Sequence, residues 1–189
     1  MVTDISEQGL SQLAAQIQRI GRKAHYYCLD VSDASAFEQL AEQLVEKIGC
    51  PDVVVNNAGI GFMGDVINTN TQVWQKVISV NLMGVVNGCQ AFLPYMNESD
   101  KAYSLVNISS MAARTPMPNM SAYAASKYAV EGFTDVLRME LAEQPIAVIC
   151  VYPGIINTNI TQNPSAVGSN ITVEQGERLQ QYYTAHGSH

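Results

Sequence analysis

Four short, β-prone apolar runs, each followed or preceded by a longer stretch of helical period, constrain this chain more than anything else in it. The runs are residues 24–29, 52–56, 104–109 and 146–151, the second centred on Val53-Val54-Val55. A run apolar at consecutive positions reads as a strand covered on both faces. Between the runs lie helical patterns. Ser6 is placed to cap a helix carrying Leu10, Leu13, Ala14, Ile17 and Ile20, which Gly21 ends. Asp33 opens another, with Phe37, Leu40, Ala41, Leu44, Val45 and Ile48 on one face and Gly49 after it. Helical period returns over residues 71–96, 121–143 and 173–183. This alternation predicts an α/β fold with a doubly wound parallel sheet, in a single domain over 1–189. A flavodoxin-like binding module shares the pattern.

Composition narrows the function. With 189 residues the chain has room for one ordinary domain and its own core. Apolar residues are 47% and charged ones only 14%, which suits a well-covered sheet. The formal net charge of −7 argues against nucleic acid as a partner, because phosphate binding needs clustered Lys and Arg. No uninterrupted apolar stretch approaches the roughly 18–20 residues of a membrane span, and residues 1–7 lack the features of a signal peptide. The expected location is cytoplasmic. Cys28, Cys50, Cys89 and Cys150 are widely spaced, with no C-x-x-C, and read as buried small hydrophobes in a reducing compartment. His25, His186 and His189 offer no metal-binding cluster, and no metal site is expected.

Chemistry concentrates in Tyr123-Ala124-Ala125-Ser126-Lys127. Tyr123 and Lys127 stand one helical turn apart on the same face. A free phenol, with a pKa near 10, is a poor acid or base at neutral pH, and a neighbouring ammonium favours its ionised form. Alone, the pair also fits a surface contact. Ser109-Ser110 ends a strand where open α/β sheets place their ligand crevice, and a hydroxyl there can donate to a substrate oxygen as charge develops. Asn56-Asn57-Ala58-Gly59 follows another strand directly, either as an ordinary turn or as a small-residue approach for a flat ring. Asn81 costs helix propensity where it stands, so its amide should have a use, which could simply be a bond to backbone.

In order, Leu29-Asp30-Val31, Asn56 to Gly59, Val80-Asn81-Leu82, Ile108-Ser109-Ser110, Tyr123 to Lys127 and Pro153-Gly154 make the chain closely resemble the classical short-chain dehydrogenase/reductase family. The resemblance implies a Rossmann-type fold and NAD(P)-dependent interconversion of alcohols and ketones. It makes Tyr123 the general acid or base. Lys127 would hold the nicotinamide ribose and lower the Tyr123 pKa. Ser110 would hold the substrate oxygen, and Asn81 would anchor a water that continues the proton relay. For the cofactor it implies Asp30 and Val31 beside the adenine, and Asn57, Ala58 and Gly59 along the adenosine side. Pro153, Gly154 and Ile156 would border the nicotinamide. Asp4 resembles the carboxylate that holds the adenosine ribose and repels a 2′-phosphate, which favours NAD over NADP; it could equally serve the next helix as a cap. Family members commonly form dimers and tetramers through the Tyr-bearing helix, where Ala122, Ala125, Ala129 and Gly132 make a small-residue stripe.

The chain also departs from the family. It begins at what resembles the second strand, and no G-x-x-x-G-x-G occurs in it; Gly59-Ile60-Gly61 with Gly64 follows the wrong strand. The expectation is a sheet that lacks the family's first and last strands, with a gap where the first, central one would lie between the strands at Val2 and Val53. An NAD-dependent oxidoreductase for a hydrophobic secondary alcohol or ketone is the leading reading, with Met111, Met117 and Met120 on one wall. Asn157 to Ile160, Tyr182 and Tyr183 would form a lid. The alternative is a non-catalytic fragment or interaction subunit that has lost the cofactor cradle.

Overall fold

The computed structural model describes residues 1–97, 101–154, 156, 160 and 168. Its elements run β1 (Val2–Asp4), α1 (Glu7–Arg19), β2 (Tyr26–Cys28), α2 (Ala34–Ile48), β3 (Val53–Asn56), α3 (Thr71–Ile78), α4 (Gly84–Met96), β4 (Tyr103–Ile108), α5 (Ser121–Glu140) and β5 (Ile146–Val151). One π-helical turn, Ser79–Met83, joins α3 to α4 into a continuous rod. Local chemistry starts and stops these elements, at Ser6, Asp33 and Gly49 as expected and at Asn70 in addition. Ser6 Oγ accepts from Gly9 N at 3.1 Å, Asp33 Oδ1 from Ala36 N at 3.0 Å and Asn70 Oδ1 from Val73 N at 2.9 Å, each satisfying an orphan amide of a first turn. Gly49, at φ 87°, ends α2 in a conformation that a side chain would resist.

All strand pairs are parallel, and helices join consecutive strands, which is the doubly wound pattern. Among the described residues they do not form one sheet. β1 pairs with β2, and β3, β4 and β5 pair in that order, with no pairing between β1 and β3. The expected gap is therefore present. It holds a cavity of about 490 Å³ lined by β1, by β3 and by the ends of Phe37 and Phe92. On β3, Val54 is buried while Val53 and Val55 are 53% and 54% exposed.

The core lies on the other face of the larger sheet. Phe37, Leu40 and Leu44 from α2 meet Val85, Cys89, Phe92 and Met96 from α4, together with Leu105 and Val130. Phe37 and Phe92 meet edge to face at 6.4 Å. The run Thr71–Met96 is long and apolar enough to cross a bilayer by composition, which the absence of an unbroken apolar stretch had hidden. Yet 56% of that window is buried inside the molecule, as suits a core helix.

The cysteine reading needs correction. All four are free thiols, but only Cys89 is buried; Cys50 and Cys150 are half-buried and Cys28 is exposed. β2 and β5 are short or lie at an edge, so their thiols escape the core. The small-residue stripe also divides. Ala122 packs against Phe62 and Val77, whereas Ala125 and Gly132 face outward. Residues 157–159 and the helix expected over 173–183 lie outside the described residues.

Candidate active site

The site forms where β3, β4 and β5 end and α5 begins. β4 closes with Ile108, and its continuation turns at Ser110, whose Oγ accepts from Ala112 N at 3.1 Å. Across from it, the first turns of α5 carry Tyr123 and Lys127. Ser110 hydrogen-bonds the Tyr123 side chain; burial raises the phenol's pKa and this bond opposes the rise. Met111 N donates to Pro153 O at 2.9 Å, which ties the Ser110 turn to the loop leaving β5. Ser110, Tyr123 and Pro153 thus share one crevice.

Lys127 is only 3% exposed. Its Nζ donates to Ile108 O at 2.8 Å and lies 5.9 Å from the centre of the Tyr123 ring. Desolvation pulls its pKa down to about 8. It stays mostly charged at pH 7, poised beside the phenol. Ser109 Oγ donates to Lys127 O at 2.9 Å and fixes the helix turn that bears it.

Asn81 sits in the π-helical turn with no exposed surface. Its amide has the use that its cost in helix propensity implied. Oδ1 accepts from Ile60 N at 2.8 Å, while Nδ2 donates to Ile60 O at 3.0 Å and to Ser126 Oγ at 3.0 Å. The wider turn offsets the helix register here and aims the side chain at the loop after β3. A Cβ on Gly59 would lie 3.3 Å from Asn81 Oδ1 and 3.5 Å from Lys127 Nζ, so loop, carboxamide and ammonium converge on one glycine.

The adenosine-side candidates gather elsewhere, around the cavity. Asp4, Asp30, Val31, Asn57, Ala58 and Gly59 all line it. Asp4 Oδ1 already accepts from Ser6 N at 2.8 Å, while Ser6 itself caps α1, so Asp4 supports the cap and still faces the cavity. Asp30 Oδ1 accepts from Ser32 N at 2.9 Å and from Ser32 Oγ at 2.6 Å; these bonds hold its carboxyl below the ordinary range, aided by Lys76 at 3.6 Å. Val31 packs so closely on α4 that only a glycine fits at 84. Ser110, Tyr123, Lys127, Pro153, Gly154 and Ile156 are not part of that lining. Gly154 has open space around it and Ile156 is exposed. Of the methionines expected on the substrate wall, Met111 and Met117 are exposed, and Met120 is buried.

Sequence reasoning missed several groups. Ser126 lies inside the Tyr–Lys motif, but nothing in the motif marks its hydroxyl as a partner of Asn81. Lys76, on α3 against Asp30, carried no signal, because its partner is distant in sequence and appears only with the fold. Arg114 pairs with Glu131 of α5 and donates to Tyr152 Oη at 3.2 Å, bracing the two loops of the crevice. Among the described residues, no group of three or more His, Cys, Asp or Glu is placed to hold a metal ion.

Residues 1–167 match the family model described as short chain dehydrogenase. The chain is 44% identical over 160 residues to the Mycobacterium tuberculosis protein named "Probable oxidoreductase EphD", covering 85% of this chain and 27% of that protein. A short-chain dehydrogenase/reductase from Burkholderia phymatum, solved with NAD, superposes with a TM-score of 0.88 at 26% identity, over 99% of this chain and 70% of that one. A gluconate 5-dehydrogenase from Burkholderia cenocepacia, solved with NADP and tartrate, gives 0.80 at 26% identity, over 85% and 63%. The chain therefore spans about a quarter of that curated relative.

Proposed function

The chain belongs to the short-chain dehydrogenase/reductase family, and on that basis we propose that it is an NAD-dependent oxidoreductase interconverting a hydrophobic secondary alcohol and its ketone. The observation that carries this reading is the crevice in which a half-buried Tyr123 meets both Ser110 and the Lys127 ammonium. The Gly-rich turn that would meet the pyrophosphate of a nicotinamide dinucleotide does not occur in this sequence; the residues that would meet the dinucleotide are Gly59, beside Asn81 and Lys127, and Asp4 and Asp30, which line the cavity between β1 and β3. Two carboxylates there favour NAD over NADP, since a 2′-phosphate would be repelled.

In this reading a bound nicotinamide gives or takes the hydride. Ser110 Oγ–H donates to the substrate oxygen. Tyr123 gives its phenolic proton to that oxygen in reduction and takes one in oxidation. Lys127, held by Ile108 O, has further N–H donors for a ribose hydroxyl, and its charge stabilises the Tyr123 phenolate. Asn81 keeps the Gly59–Ile60 loop in place. Exposed Met111, Met117 and Ile156 support an apolar substrate. We place the protein in the cytoplasm, as a homo-dimer or tetramer. Exposed Tyr128, Val136 and Met139 on α5 support association. A monomer by light scattering at micromolar concentration would exclude it.

The open cleft between β1 and β3 favours a second reading, a non-catalytic interaction subunit. Titration with NAD and NADP, followed by a nicotinamide-absorbance assay with cyclohexanol and 2-octanol, separates the two. NAD binding and turnover are expected. Neither cofactor binding nor turnover would leave the interaction subunit.

A further inference from the structure

We infer that Ser126 is a positioning residue, whose hydroxyl locks the Asn81 carboxamide, and with it the Gly59–Ile60 loop, to the helix that carries Tyr123 and Lys127. Both side chains are fully buried. Ser126 Oγ gives its hydrogen to Tyr123 O at 2.7 Å, which leaves it an acceptor, and Asn81 Nδ2 fills that acceptor at 3.0 Å. The direction of each bond is thereby fixed. Since Nδ2 must face Ser126, Oδ1 must face Ile60 N, and the carboxamide cannot flip. Segments distant in sequence meet at this point: the loop after β3, the π-helical turn and the first turns of α5. A Cβ at Gly59 would meet both that carboxamide oxygen, at 3.3 Å, and the Lys127 ammonium, at 3.5 Å. Without the hydroxyl, a buried N–H of Asn81 has no acceptor. The carboxamide is then free to turn or to recruit water beside Lys127. An ordinary buried serine would affect only stability; this one governs the surroundings of the ammonium.

The inference rests on the oxidoreductase reading for its meaning, but its test does not need turnover. In the whole chain, nuclear magnetic resonance would follow the Asn81 side-chain amide and the titration of Lys127 in the parent, in Ser126→Ala and in Ser126→Thr. The parent should show a protected amide and a Lys127 that titrates near 8. Ser126→Ala should exchange that amide at least about tenfold faster and move the Lys127 titration upward, as water relieves its desolvation. Ser126→Thr, which keeps the hydroxyl, should restore both. If Ser126→Ala does not fold, Ser126→Cys, with its weakly accepting sulfur, takes its place under the same readouts. An unchanged amide and an unchanged Lys127 titration in a folded variant lacking the hydroxyl would overturn the inference. With cyclohexanol and NAD, the variant should lose about tenfold in kcat with little change in KM for NAD. A parent without turnover would count against the oxidoreductase reading alone, because the resonance readouts still decide the role of Ser126.

Discussion

At the scale of single residues, the crevice works by unequal burial of groups that would be ordinary in water. Tyr123→Phe removes one hydroxyl and little else. It should leave cofactor affinity intact and lower kcat by at least about a hundredfold, read by steady-state kinetics with the same alcohols. Lys127 makes stability depend on pH. Its folded pKa near 8 lies below the unfolded value, so the folded protein binds fewer protons between the two. The cost of its burial is complete below pH 8 and is relieved as pH rises. Between pH 8 and 9 the relief amounts to about 1 kcal/mol. Above pH 9 it is opposed by Cys89, whose burial raises its pKa to about 11. Urea unfolding of the parent and of Lys127→Met at pH 8 and 9 should show the parent gaining that amount over the variant. A gap that does not change with pH would mean the ammonium is not desolvated. Tyr123, Lys127, Ser110 and Asn81 were legible in the sequence because each stands in a short motif. Ser126, Lys76 and Arg114 were not, since their partners come from distant segments and the bonds exist only once those segments meet.

Elements were easier to read than their edges. The strands and helices follow from apolar period and caps, because both depend on neighbours within a few residues. What period could not supply was the π-helical turn at Ser79–Met83, which owes its shape to what Asn81 reaches across the fold. Glycines show the same division. Gly88 and Gly132 both lie within helices and look alike in sequence. A Cβ at Gly88 would overlap Asn56 Oδ1 and come within 2.9 Å of its Cγ, whereas one at Gly132 would meet nothing within 4 Å. The Asn56 carboxamide is bonded to Asn107 Oδ1 at 2.9 Å, and Asn107 in turn to Thr134 Oγ1 at 3.1 Å. Gly88→Ala must push into that buried chain and should cost about 1–3 kcal/mol. Gly132→Ala should instead stabilise by roughly 0.5–1 kcal/mol, through helix propensity alone. Thermal melts of the two variants should move in opposite directions.

For the molecule as a whole, the absence of pairing between β1 and β3 matters most. Among the described residues, β4 is paired on both sides, while β1 and β3 share no pairing across the cleft. The unit β1–α1–β2 is knit mainly to itself, and the rest of the core is built around β4. The molecule consequently has a seam, and a seam sets an order of opening. Deuterium should enter the amides of β1, α1 and β2 through local excursions, and those of β4 only through global unfolding. On heating, the first unit should come loose while the second still holds its fold, so a protease present in trace amounts would clip first near Gly21, in the exposed turn after α1. The crevice around Tyr123 would survive that first cut; the adenosine side, shared across the seam, would not. Damage or mild heat would therefore take apart the cavity between β1 and β3 before it disturbs the crevice around Tyr123, and the two halves of the candidate site would age at different rates.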